Sequence, residues 1–207
     1  MIGLPERSAE RDAALEALLA HVPFDGWTRT ALRRALAEIG QDPEDAPLLF
    51  PGGAVDMVAA FCDLADRRMA ADAAALDMAG LRTPARVRAV VAARFARNRP
   101  HKEAVRRALA VLALPAHAPA AVACTSRTVD AIWHAAGDTA ADFSWYTKRA
   151  SLAAIYVPTL LFWLRDRSED DAASLAFFDR RLAGLAHLGA ARGRLEAVLG
   201  RFAGAWS

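Results

Sequence analysis

Apolar side chains recur every three to four residues along nearly the whole chain, which is the period of an α-helix with one buried face. Alternating runs of β-branched residues, the pattern of a half-buried strand, are missing. The pattern therefore predicts an all-α protein. The predicted helices span about residues 9–21, 29–39, 54–79, 83–97, 98–114, 120–136, 142–164, 169–185 and 190–206, with a short element after Asp42.

Helix start and stop signals support several of these elements. Thr28 is an N-cap for the second helix and Gly40 ends it, because hydroxyls accept from free backbone amides and glycine tolerates a left-handed residue. Asp42 followed by Pro43 indicates a short third helix. Ser168 precedes three acids and predicts the start of the helix over 169–185.

The last predicted helix, 190–206, is amphipathic. Its apolar stripe consists of Leu195, Val198, Leu199, Phe202 and Trp206, while arginines occupy its other faces. Such a stripe can pack on its own domain or on a dimer mate. A basic face beside Phe and Trp favours the alternative, reversible contact with an anionic membrane surface.

The segment from Ala150 to Leu164 is apolar on several faces and contains Pro158. A proline removes one helical hydrogen bond and bends the helix, which predicts a cavity for a lipid tail here. An ordinary core with a proline kink remains the alternative. The predicted lipid-binding residues are Leu109, Leu112, Val122, Val129, Leu152, Ile155, Tyr156, Leu160 and Leu161.

Composition narrows the class of protein. The chain has 207 residues, of which 55% are hydrophobic and 24% charged, enough for one domain or one domain with a small appendage. A net charge of +2 does not indicate a nucleic-acid binder. Cys62 and Cys124 have no ligand-rich neighbours and are interpreted as buried free thiols. No secretory signal is visible, and Ala150–Leu164 is too short to cross a bilayer, so we expect a soluble protein that contacts membranes.

One helix carries candidate chemistry. Asp130, His134 and Asp138 are spaced four residues apart, which could stack two carboxylates and an imidazole for metal binding or acid–base catalysis. Gly137 ends the helix first, so Asp138 fits a turn and His134 a structural hydrogen bond. We therefore predict neither a metal site nor an enzyme. A metal-dependent enzyme remains the third hypothesis.

The N-terminal half resembles the TetR transcription regulators, in which three short helices precede a long fourth. The stretch "LLFPGG", Leu48 to Gly53, is similar to the aromatic-rich run that ends in Gly-Lys in that family, with Gly53 in place of the lysine. The third helix begins "DPEDAP", and its acids repel a phosphate backbone. The resemblance implies a TetR-like bundle with a vestigial helix-turn-helix and no nucleic acid as partner.

A second resemblance covers most of the chain. The stretch "AIWHAAGDTAADFSWYTKRASLAAIY", Ala131 to Tyr156, is similar to the signature of the Coq-nine family of ubiquinone-biosynthesis accessory proteins, with Ser144 and Lys148 as departures. A further block, "HVPFDGWT", His21 to Thr28, also matches the family.

This second resemblance implies a homodimer that binds an isoprenoid quinone or phospholipid and assists the demethoxyubiquinone hydroxylase or a bacterial counterpart. The residues that would contact the hydroxylase are Asp142, Trp145, Tyr146 and Arg149. Adjacent aromatics on one helix are splayed by about 100°, so Trp145 and Tyr146 cannot both point into one core. Packing of one of them in the core is the alternative to an outward anchor.

From these observations we expect a non-enzymatic lipid-binding accessory protein, cytoplasmic and peripheral on the inner membrane. A TetR-type ligand-responsive regulator is the second hypothesis. The expected regions are a vestigial helix-turn-helix over 1–52, a helical lipid-binding and dimerisation domain over 53–189, and the amphipathic helix over 190–207.

Overall fold

The structure, a computed structural model, describes residues 5–138 and 144–184, except the side chains of residues 144 and 145. These residues form helices and contain no β-strand, which confirms the all-α prediction. The helices are α1 Ala9–Leu18, α2 Val22–Asp25, α3 Arg29–Glu38, α4 Ala46–Leu49, α5 Ala54–Ala74, α6 Thr83–Asn98, α7 Lys102–Leu112, α8 Ala118–Ala135, α9 Ser144–Trp163 and α10, residues 172–184.

The predicted caps determine the N-terminal helices. The Thr28 hydroxyl accepts from the backbone amide of Ala31 at 3.1 Å, and Gly40 follows α3 with a φ of 73°, a conformation that glycine adopts without strain. Asp42 caps a 3-10 turn, Pro43–Asp45, which leads into α4. The short helix predicted after Asp42 is therefore the 3-10 turn together with α4, and it is as short as its prolines suggest.

Several helix ends differ by a few residues from the approximate predictions, and two of the differences have clear local reasons. The helix expected to reach residue 79 ends at Ala74, and beyond it the Asp77 carboxylate accepts from the backbone amide of Ala79 at 3.0 Å. Such a bond competes with the helical one. The helix expected from residue 120 begins at Ala118, because Pro119 lies in the first turn, where its missing N–H costs nothing.

The buried apolar residues form one continuous core from α1 to α10. Helix α5 runs through it and packs against α6 and α8, and α9 lies along α8. The N-terminal helices join the rest through Trp27, which is 3% exposed and donates from Nε1 to the Ala104 carbonyl of α7 at 3.1 Å. Arg107 of α7 also donates to the Pro23 carbonyl. The "HVPFDGWT" block is therefore a structural connection between α2 and α7.

Among the described residues, no single helix is long and apolar enough to cross a membrane, and only two strongly bent helix pairs reach that length and composition.

Candidate functional site

Helices α5 to α9 enclose a cavity of about 290 Å³. This volume lies at the lower end of the roughly 300–1,000 Å³ typical of small-molecule sites. Small side chains on three helices leave the space, because Ala65, Ala108 and Ala121 face it where larger residues would fill it. Its other apolar lining residues are Phe61, Phe95, Val105, Leu109, Leu112, Ala113, Val157, Leu160, Leu161 and Trp163.

Aromatic rings form the inner wall of the cavity. Phe95 stacks on Trp163 with ring centroids 5.0 Å apart and lies 6.4 Å from the Tyr156 ring. All three side chains are at most 4% exposed. Three further lining residues, Ala113, Val157 and Leu161, are exposed. The cavity therefore opens to the surface along an apolar rim.

A buried polar cluster lies at the inner end. The Arg94 guanidinium contacts the Asp66 carboxylate, donates to the Tyr156 hydroxyl at 2.8 Å and reaches the Thr128 hydroxyl at 3.5 Å. Thr128 in turn donates to Asp66 at 2.9 Å. Asn98 fixes this end of α6 by donating to the Arg94 carbonyl at 2.8 Å. Arg94, Asn98, Thr128 and Tyr156 all line the cavity, so its apolar walls converge on hydrogen-bonding groups.

Burial dominates the electrostatics of this cluster. It raises the pKa of Asp66, and the Arg94 charge and the hydrogen bond from Thr128 oppose that shift. Burial also raises the pKa of the Tyr156 hydroxyl, which therefore stays protonated at neutral pH. Because arginine keeps its charge in proteins, the cluster holds one cation and one carboxylate in direct contact.

The two cysteines line the same cavity and are both free thiols. Cys124 is buried, whereas Cys62 is only half-buried. A hydrogen bond between them raises the pKa of Cys62 and lowers that of Cys124. Arg127 lies 3.4 Å from the Cys124 sulfur.

The predicted lipid-binding residues divide into two groups. The structure brings together at the cavity Leu109, Leu112, Tyr156, Leu160 and Leu161. Four others do not line it: Val129, Leu152 and Ile155 are packed in the core, and Val122 is 67% exposed. Helical period shows which residues share a face, but it cannot distinguish a face on a void from a face on a neighbouring helix.

The polar end of the cavity is not apparent from the sequence pattern. Arg94 looks like a solvated arginine of α6, yet it is 8% exposed. A signal did exist in α5, where Asp66 lies among Cys62, Ala65 and Met69 in an otherwise apolar stripe. A carboxylate in that position requires a buried cation or hydrogen-bond donor.

The residues proposed to contact a hydroxylase are placed differently from one another. Tyr146 is 69% exposed near the start of α9. Arg149 is instead 7% exposed, with its Nε 2.5 Å from Asp130 and its Nη1 3.5 Å from Asp138. It therefore cannot contribute to an outward patch as the sequence suggested, because its guanidinium joins α8 to α9. Asp142 and the side chain of Trp145 lie outside the described part of the chain.

The spacing of Asp130, His134 and Asp138 does not form a metal site. The His134 ring is exposed, and its Nδ1–H donates to the Asp130 carbonyl, 3.1 Å away. Asp138 lies past the helix end, where its carboxylate contacts Lys148 at 2.7 Å. Within residues 5–138 and 144–184, no group of three His, Cys, Asp or Glu side chains is arranged to hold a metal ion.

The predicted membrane-binding residues Leu195, Val198, Leu199, Phe202 and Trp206 lie outside the described residues. At the N-terminal end, Glu44 pairs with Arg33 of α3 at 3.2 Å, and Asp42 and Asp45 are exposed beside it. These three acids, which precede α4, therefore lie at the surface, as the sequence suggested.

Comparison with known proteins gives two kinds of similarity. A family model described as COQ9 matches residues 118–189. The ubiquinone biosynthesis protein COQ9 of Homo sapiens is 31% identical over 182 residues, covering 84% of this chain and 57% of that protein. The Drosophila melanogaster protein of the same name is 33% identical over 178 residues, covering 84% and 54%. This chain thus spans a little over half the length of these relatives, whose names describe them as mitochondrial.

Among solved structures, a TetR transcriptional regulator from Nitrosomonas europaea superimposes with a TM-score of 0.69 at 22% identity. The match covers 86% of this chain and 99% of that one. It confirms the TetR-like fold that the resemblance of the N-terminal half implies.

Proposed function

Because the chain belongs to the COQ9 family, we propose that it is a lipid-binding accessory protein of ubiquinone biosynthesis. It takes an isoprenoid quinone intermediate from the membrane and presents it to a hydroxylase, without catalysing a reaction itself. The observation that carries this proposal is the apolar cavity between α5 and α9.

The energetics of burial support a lipid ligand. Taking a CH₂ group from water into an apolar site gains about 0.8 kcal/mol, so a few isoprene units supply several kcal/mol. The cavity is lined mainly by carbon and opens along an apolar rim. Such a site suits an isoprenoid lipid, which leaves a bilayer only when its tail is transferred directly to another apolar surface.

The remaining parts of the proposal concern partners and location. Tyr146, exposed at the start of α9, belongs to the surface that meets the hydroxylase. The segment 190–207 binds the membrane surface, which makes the protein peripheral on the inner membrane. It acts as a homodimer on the cytoplasmic side. The exposed acids before α4 would repel a phosphate backbone, which argues against nucleic acid as a partner, although the fold is similar to that of a TetR regulator.

The test is native mass spectrometry of the purified protein, followed by organic extraction of what co-purifies. We expect a bound quinone, isoprenoid or phospholipid. Ala121→Phe fills the cavity and should remove the ligand, whereas Val122→Phe changes the neighbouring exposed residue and should retain it. A ligand-free wild-type protein that binds specific DNA in a salt-sensitive manner would contradict the proposal and favour the regulator.

A further inference from the structure

The inner end of the cavity has no net charge, because the Arg94 cation is paired with the Asp66 carboxylate. Arg94 faces a single carboxylate, Asp66, and both side chains are at most 9% exposed. The Asp66 carboxylate is in direct contact with a permanent cation, whose charge and the Thr128 hydrogen bond oppose the effect of burial. Burial of an unpaired arginine would be far more costly than burial of the pair. A ligand that reaches this end therefore meets hydrogen-bonding groups without an uncompensated charge.

This arrangement discriminates between classes of lipid head. A phosphate or carboxylate head would lose its hydration at Arg94 without gaining a counter-ion, because Asp66 already occupies that position. A carbonyl or hydroxyl loses much less hydration and can bond to the Thr128 hydroxyl, the Asn98 amide or the weakly used Nη2 of Arg94.

The position of the rim gives the ligand a direction. Polar groups line the buried inner end, whereas Val157 and Leu161, 39% and 54% exposed, form the apolar rim. A cavity of about 290 Å³ holds only part of a long-chain lipid. A lipid fits this cavity when its polar head lies at the buried polar end and its tail leaves across the exposed apolar rim.

We infer that the cavity selects lipids with an uncharged, oxygen-bearing head, which enters first and lies against the Arg94–Asp66–Thr128–Tyr156 cluster. This inference rests on the proposed function and specifies its ligand class. It assigns selectivity to Asp66, which does not itself line the cavity but removes the attraction of Arg94 for anions.

Two probes of similar apolar character test the inference: geranylgeraniol, a neutral prenyl alcohol, and oleate, a fatty-acid anion. Their dissociation constants are measured by competition with a fluorescent lipid that the wild-type protein binds. The wild-type protein should bind geranylgeraniol at least about tenfold more tightly than oleate. Asp66→Asn keeps the shape of the side chain but exposes the Arg94 charge to the ligand, so oleate affinity should rise by about tenfold or more.

Two controls separate charge from damage to the fold. Combining Asp66→Asn with Arg94→Gln removes both charges and should abolish the gain in oleate affinity. Asp72→Asn breaks a comparable arginine pair, with Arg97, on the exposed surface and should leave both affinities unchanged.

The outcomes distinguish this inference from the proposed function. Equal binding of the two probes by the wild-type protein overturns the inference, and so does a folded Asp66→Asn protein without a gain for oleate. If that variant does not fold, the wild-type preference alone decides. Binding of neither probe, and of no co-purified lipid, contradicts the proposed function itself.

Discussion

At the scale of single residues, the connection between α9 and α10 depends on the carboxylate of Asp166. It accepts from the backbone amides of Ser168 and Ser174, each at 2.8 Å, and from the Ser174 hydroxyl at 2.5 Å. Burial alone would raise its pKa, but these hydrogen bonds to the ionised form outweigh burial and lower the pKa to about 2. Stabilisation from this group is therefore complete above its unfolded pKa of about 4 and disappears as the pH falls through about 2.

The corresponding prediction concerns Asp166→Asn. At pH 7 the substitution should lower the free energy of unfolding by about 1 kcal/mol, allowing for solvent screening of this partly exposed site. The difference from wild type should shrink as the pH falls from about 4 towards 2. Urea unfolding across this range measures it, with Asp45→Asn, an exposed acid, as the control. A pH-independent difference would show that the hydrogen bonds do not favour the charged form.

Individual residues also show how much of the cavity can be predicted from the sequence. Five cavity residues are predictable. Tyr156, Leu160 and Leu161 lie on the apolar segment of α9 around Pro158, and Leu109 and Leu112 are apolar residues of α7. Arg94 was missed because its neighbours along α6 do not indicate which helix it faces. Val122 is exposed and does not line the cavity, because apolar character alone does not imply burial.

At the scale of elements, α9 connects an exposed aromatic residue with the cavity. Its first turns expose Tyr146, while its later turns provide Tyr156, Leu160 and Leu161 to the cavity. It continues as one helix through Pro158 to Trp163, so the expected cavity is present without an interruption of the helix. The caps at Thr28 and Asp42 were predictable because they depend on adjacent residues. The end of α5 was not, because an aspartate turn competed with good helix formers.

A prediction at this scale is that the two ends of α9 are functionally separable. Tyr146→Ala should weaken binding to the partner hydroxylase by about tenfold, as loss of an interface aromatic commonly does, while the co-purified lipid stays unchanged. Leu48→Ala, at an exposed apolar residue of α4, is the control and should bind normally. Unchanged affinity of the Tyr146 variant in a pull-down or titration would place the hydroxylase contact elsewhere.

At the scale of the whole molecule, one core connects the regulator-like N-terminal helices with the cavity-forming helices. The helical pattern predicts the all-α class, whereas the TetR-like arrangement is predicted by resemblance to a known family, in the order of the N-terminal helices and the LLFPGG stretch. The cavity itself depends on which small side chains meet between five helices. That information lies in tertiary packing and not in any local pattern.

The whole-molecule prediction concerns membrane recruitment. Removal of residues 190–207 should abolish flotation with liposomes containing anionic phospholipid, because the arginines and the apolar stripe of that segment are lost together. The dimer and the melting temperature should be retained. A control in which only Arg192, Arg194 and Arg201 are replaced by glutamine should show reduced flotation. Undiminished flotation of the truncated protein would refute the membrane role of the segment.

The bond from Trp27 to Ala104 has a mechanical consequence. Helix α7 lines the cavity on one side and holds α2 on the other, through Trp27 and through the contact of Arg107 with Pro23. A ligand that displaces α7 therefore also displaces α2, whose Phe24 is 84% exposed. If ligand binding shifts α7, this connection would carry the shift to Phe24 at the outer surface, so that a loaded and an empty molecule would differ there.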